Sequence, residues 1–251
     1  MAVNFEDWMR SWAKPTEVQW SIEDHRFYEY CENFMRNRFR DKCVAQNFQD
    51  AWVLYRTGEK TKGYFVEFGA TDGNQTSNTK LLEEYFEWGG ILAEPNPVWA
   101  KDLIANRPRS HLCTDSCVST KDGETVEFVM TKDPMFSTMS EYVEKDYNSA
   151  QRTKDSVSFY VNTITLNSLL RRFDAPKHID FLSIDTEGSE YDILNAFDFS
   201  EHQIDYICVE HNYSAEKRQA IKSLLESKGY QREFEIFSRW DDFYRLNTRN
   251  L

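Results

Sequence analysis

The sequence predicts an α/β fold built on a mostly parallel sheet, preceded by a helical extension. Three observations predict it. From Gly63 onward, short apolar runs alternate with stretches of helical periodicity, and such alternation implies βαβ crossovers with helices on both faces of the sheet. Acidic residues close several of the apolar runs, at the strand ends where open α/β sheets bind ligands. The tail, Tyr230–Leu246, reads as two strands about a turn near Trp240-Asp-Asp242, an antiparallel hairpin that finishes the sheet.

In residues 1–60, Phe27, Tyr30, Cys31, Phe34, Met35, Phe39 and Val44 recur at roughly helical spacing and predict a helix over Glu23–Asn47. Lys60–Gly63 links this extension to the main domain, residues 61–251. There follow a strand at Tyr64–Phe68, a helix at Thr76–Trp88, a strand at Gly90–Glu94 and a helix at Val98–Ala105. A third strand lies within Ser110–Val118. Residues 124–130 and 156–163 read as extra β segments, with polar Ser137–Thr153 between them as either a lid or a plain loop. Then come a helix at Thr165–Phe173, strands at Ile179–Ile184 and Ile204–Glu210 flanking a helix at Ser189–Phe197, and a helix at Ala215–Lys228 ended by Gly229.

Composition narrows the function. With 30 basic against 42 acidic residues the net charge is −12, which does not suit phosphate-backbone binding, so nucleic acid is not an expected partner. The five cysteines are odd in number and contain no C-x-x-C pair, against both a zinc site and a disulfide framework. The start, MAVNFEDWMRSW, carries early acids and no apolar core, so no secretory signal is expected there. No apolar stretch approaches the ~20 residues that span a bilayer. A cytoplasmic location is expected. The aromatic-rich extension leaves a homo-oligomer open.

The first strand runs into Glu67-Phe-Gly69-Ala-Thr-Asp72-Gly73. Its glycines let the chain turn tightly and let a ligand approach without a Cβ, or they serve only helix–strand packing. The spacing is not the G-x-G-x-x-G of dinucleotide binders, and two acids in one loop repel pyrophosphate. They suit a ligand with positive charge, such as an amino group or a sulfonium. Glu94, ending the second strand, is placed to accept hydrogen bonds from ribose hydroxyls. Asp115, in the third strand region, is a candidate neighbour of an adenine amino group.

The series Glu67–Gly73, Leu92-Ala-Glu-Pro-Asn-Pro97, Thr163-Ile-Thr-Leu166 and Ile184-Asp-Thr-Glu-Gly-Ser-Glu190 resembles the FkbM family of S-adenosylmethionine-dependent methyltransferases, over roughly Gly63–Gly229. The D-x-E-G-x-E element is its most specific piece. The resemblance implies a class I methyltransferase (Rossmann-like) fold, a seven-stranded sheet whose last strands form an antiparallel hairpin. It also implies O-methylation of a hydroxyl on a sugar, glycan or related small metabolite. Carried over by motif, Glu67, Gly69, Asp72 and Gly73 form the methionine-side loop, Glu94 binds the ribose, Asp115 and Ser116 lie by the adenine, and Asp185 faces the methyl donor.

Two strand ends then carry the chemistry: Asp185-Thr-Glu187-Gly188 and Glu210-His211-Asn212. Methyl transfer to a hydroxyl needs alignment and a base for the hydroxyl proton. His211 is the natural base, its pKa expected to rise beside a carboxylate, with Asp185 and Glu187 orienting it or acting as base themselves. Alternatively Asp185, Glu210 and His211 hold a divalent ion such as Mg²⁺ that acidifies the hydroxyl. Glu190 is expected in a first helical turn, where acids favour the helix dipole. Competing functions are a non-catalytic binding module keeping the fold, a methyltransferase for nucleic acid or protein, and a nicotinamide-dependent oxidoreductase.

Overall fold

The computed structural model describes residues 20–40, 42–143 and 156–247, so residues 144–153 of the expected polar insertion lie outside the described residues. Among the described residues two helices precede the sheet, α1 (Ile22–Asn33) and α2 (Gln49–Thr57), with a π-helical stretch Phe34–Phe39 after α1. The helix expected over Glu23–Asn47 therefore ends early. The chain then re-enters helix at Gln49, after Phe48 in the left-handed region (φ 57).

The main sheet contains β1 (Tyr64–Phe68), β2 (Gly89–Ala93), β3 (His111–Cys113), β8 (His178–Ile184), β9 (Gln203–Glu210), β10 (Tyr230–Glu233) and β11 (Asp241–Leu246). Their order is β10-β11-β9-β8-β1-β2-β3. β11 runs antiparallel to both β9 and β10, and the other pairings are parallel. This is the class I arrangement that the resemblance implied. The chain reversal differs from expectation: Asp241 and Asp242 open β11, and a 3₁₀ turn at Glu235–Phe237 lies in the connection.

The strands alternate in what they bury. Phe65, Leu92, Phe181, Cys208 and Phe243 face a core shared with Phe27, Phe34 and Trp52 of the N-terminal helices. That core also takes Leu81, Leu82 and Phe86 of α3 (Lys80–Phe86) and Leu103 of α4 (Pro97–Asn106). Val66, Ile91, Leu182 and Ile207 face the opposite core, with α5 (Leu166–Arg172), α6 (Glu190–Ala196) and α7 (Ala215–Ser227). The Trp52 ring lies edge-on to Phe181 and Tyr206, at centroid distances of 6.2 and 5.5 Å. Packing is thus continuous between the described part of the extension and the sheet.

The expected third strand is two strands. Ser116–Ser119 (β4) leaves the main sheet and pairs with β7 (Val157–Thr165); β5 (Thr125–Met130) and β6 (Thr138–Met139) complete a second sheet ordered β4-β7-β5-β6. Helix α3 also starts later than its apolar pattern suggested, because residues 77–79 fold back onto Glu67. No described helix is long and apolar enough to cross a membrane.

Candidate active site

A cavity of about 300 Å³ opens at the carboxyl ends of β1, β2, β8 and β9, where the fold leaves a crevice. Glu67, Glu94, Asp185, Glu187 and Glu210 line it, and no Lys, Arg or His does among the described residues. Gly69 lies in its wall with φ +68, and a Cβ there would fall on the Asp185 carbonyl oxygen. The crossing of the β1 and β8 loops thus requires glycine.

At the β1–β2 end the carboxylates are tied to backbone and hydroxyls. Glu67 accepts from Asn78 N (2.8 Å), Ser77 Oγ (3.1 Å) and Thr79 Oγ1, with Arg107 Nη1 3.8 Å away. Burial pushes its pKa up, opposed first by Arg107 and then by these donors. Glu94 accepts from Asn96 N (2.8 Å) and Thr71 N (3.1 Å), and burial raises its pKa to about 7. Asp72 is turned into its own loop, accepting from Asn74 N and Gln75 N at 2.9 and 2.7 Å. It does not line the cavity, nor does Gly73, where an added Cβ would run into Leu103 and Arg107.

At the β8–β9 end the carboxylates face one another. Asp185 and Glu210 lie close together, and both pKa values are pushed well up, by burial first and then by neighbouring carboxylates. Asn212 Nδ2 donates to Glu210 (2.7 Å) and Glu187 (3.3 Å). Asp185, Glu187 and Glu210 each offer an oxygen, all within 4.8 Å of one another. Glu187, Asn212 and Tyr213 adopt left-handed backbone angles (φ 58, 48 and 58), the strain that surrounding structure must hold in place at sites of this kind.

His211 departs from expectation. It does not line the cavity or join the carboxylate cluster. Its N–H bonds to Trp240 O, its Nδ1 accepts from Tyr213 N (3.2 Å), and Nε2 points toward Asp242 at 3.9 Å without a hydrogen bond. Burial outweighs Asp242 and lowers its pKa to about 4, the reverse of the expected rise. Glu187 takes its place beside Asp185 and Glu210. Asp115 is likewise displaced: Arg172 clasps it through two 2.8 Å hydrogen bonds at the surface, and neither it nor Ser116 lines the cavity.

Sequence reading missed three features. Glu190 is more than a dipole-complementing acid: fully buried, it accepts from Thr186 N, Gly188 N and Lys217 Nζ, and so shapes the Asp185–Glu190 loop. Asp241, opposite Glu210 in register, accepts from Asn47 Nδ2 (2.7 Å) and Gln49 Nε2 (2.9 Å) of the extension. Gln46, next in the chain to this contact, lines the cavity. The second sheet supplies an apolar wall, including Val118, Phe128 and Met139. Glycine spacing and acid positions carry no signal for any of these, although D-x-E-G-x-E does contain Glu190.

Among known proteins, no curated sequence matches this chain. Similar solved structures include an FkbM methyltransferase from Methylobacillus flagellatus KT, at 13% identity and TM-score 0.49, covering 97% of this chain and 59% of that one. A precorrin-6y C5,15-methyltransferase from Geobacter metallireducens GS-15 follows at 13% identity and TM-score 0.42, covering 81% of this chain and 89% of its own. A methyltransferase from Pyrococcus furiosus matches at 11% identity and TM-score 0.40, covering 90% and 97%. This chain therefore spans about three-fifths of the first of these proteins. The match that settles kinship is to the FkbM methyltransferase domain, from Glu67 to Arg232. By that match, spanning both strand-end clusters, the chain belongs to the FkbM methyltransferase family.

Proposed function

We propose that this chain is an S-adenosylmethionine-dependent O-methyltransferase acting on a hydroxyl of a sugar, glycan or related small metabolite. One observation carries the proposal: five carboxylates and no basic side chain line the cavity among the described residues. Such a lining favours a sulfonium cation and opposes pyrophosphate. S-adenosylmethionine fits this donor set, with Glu94 accepting from the ribose hydroxyls and Gly69, which lines the cavity, beside the methionine end.

When bound, the cofactor supplies an electrophilic methyl group. The protein's part is to align an acceptor hydroxyl with it and to take the hydroxyl proton. His211 is turned away, so the proton acceptor is sought among Asp185, Glu187 and Glu210. Burial and neighbouring carboxylates push the pKa values of Asp185 and Glu210 well up, and we assign the base to Glu187, oriented by Asn212 Nδ2. The same three oxygens suit a hard divalent cation such as Mg²⁺, which prefers carboxylate ligands and would acidify the hydroxyl.

Calorimetric titration of wild type and E94A with S-adenosylmethionine and S-adenosylhomocysteine, each with and without Mg²⁺, tests the proposal. Binding that weakens roughly tenfold or more in E94A is expected for the loss of a buried charged acceptor. Wild type that binds neither compound under either condition overturns the proposal.

A further inference from the structure

The second sheet stands apart from the seven-stranded order, yet β4, β5 and β6 all reach the cavity through Cys117, Val118, Phe128 and Met139. Cys117, Phe128 and Met139 belong to a small core of their own with Tyr142 and Val161. The β5–β6 connection, residues 131–137, is drawn onto the end of β2. Ser137 Oγ accepts from Asn96 Nδ2 (3.3 Å) and from Thr131 N (3.2 Å), and Asn96 N in turn donates to Glu94. On its far side, Thr138 Oγ1 donates to Thr186 O (3.3 Å) and Tyr142 Oη to Asp192 (2.6 Å). The connection is thus fastened to the loops after β2 and β8, and Phe136 lines the same cavity as Pro95 and Glu94.

A base attached to a ribose held at Glu94 meets this wall. Asp115, the acid expected to read its amino group, is held away by Arg172. None of the second-sheet residues lining the cavity, the β5–β6 connection included, carries a charge. What the wall offers a base is apolar surface and two aromatic rings, Phe128 in β5 and Phe136 in the connection fastened to Asn96, which suits recognition by its face. We propose that the β5–β6 connection is the adenine clamp of this protein and that the Phe136 ring packs on the base. This rests on the cofactor reading above.

The test is calorimetric titration of wild type, F136A and F136W with S-adenosylhomocysteine and with 5′-methylthioadenosine, which keeps the adenosine end and lacks the amino acid. F136A is expected to weaken both compounds equally, by roughly tenfold or more, the usual cost of removing a ring stacked on a base. F136W should restore both. Unchanged affinities in F136A, or a loss for S-adenosylhomocysteine that spares 5′-methylthioadenosine, would overturn the clamp and leave the cofactor reading standing. Wild type that binds neither compound overturns both. If F136A melts below the assay temperature, F136L replaces it, keeping apolar bulk without the ring. It too should weaken both compounds, and unchanged affinities in it overturn the clamp.

Discussion

At the β1 end of the cavity Glu67 is surrounded by donors: a backbone N–H, two hydroxyls and the Arg107 guanidinium. At the β8–β9 end Asn212 donates to both Glu187 and Glu210, and Asp185, Glu187 and Glu210 bring an oxygen each within 4.8 Å of one another. The two ends are comparably buried, and both stem from carboxylates at the ends of parallel strands. Their uses differ. A carboxylate whose lone pairs are all engaged shapes a loop; carboxylates left facing each other store repulsion that a cation or a proton relieves. Glu190 belongs with Glu67 in this division, although it lies close to the β8–β9 cluster and in the same motif.

Removing a shaping acid and removing a crowded one should therefore have opposite effects on stability. E190A takes the acceptor from Thr186 N and Gly188 N in a fully buried loop, and a loss of about 2–5 kcal/mol in urea unfolding is expected. A loss below about 1 kcal/mol would break the comparison. E210Q should stabilise instead, by about 2 kcal/mol at pH 8. The sign follows from linkage: the folded pKa of Glu210 is raised, so its contribution is fully present below the unfolded value and is lost as pH rises. Wild type should lose stability from pH 5 to pH 8 more steeply than E210Q, and parallel curves would place the repulsion elsewhere.

The smallest effect sharpens the role of Glu94, which lies between the two kinds. It has two N–H partners, yet its pKa stands at about 7. Hydroxyl donors from a ribose favour its ionised form, so affinity for S-adenosylhomocysteine should rise about tenfold from pH 6 to pH 8. Titrations at the two pH values, in wild type and E94Q, measure this, and E94Q should show no such rise.

Much of this was legible in the sequence because parallel strands buried on both faces write themselves as apolar runs, and the acids closing those runs stand at the ligand-binding edge. Five of them do line the cavity. What was not legible depends on partners distant in the chain. His211 follows its strand as a base would, but the antiparallel neighbour β11 captures its backbone through Trp240. The break between Cys113 and Ser116 has no glycine or proline to mark it; β4 peels away because β7, about forty residues on, offers it a ladder. Asp72 looks like a ligand-facing acid until Asn74 and Gln75 turn their N–H groups into it.

The contact of Asn47 and Gln49 with Asp241 bears on how the protein is made. The two amides leave the ribosome almost two hundred residues ahead of the carboxylate that receives them. Until β11 has emerged and slotted between β9 and β10, the segment after Gln46 is held by the packing of Trp52 on β8 and β9 without these two hydrogen bonds. Such distant pairings form late, after nearer contacts have offset the entropy of closing the chain. A nascent chain lacking β11 therefore lacks the carboxylate that these two amides meet at the rim of the cavity.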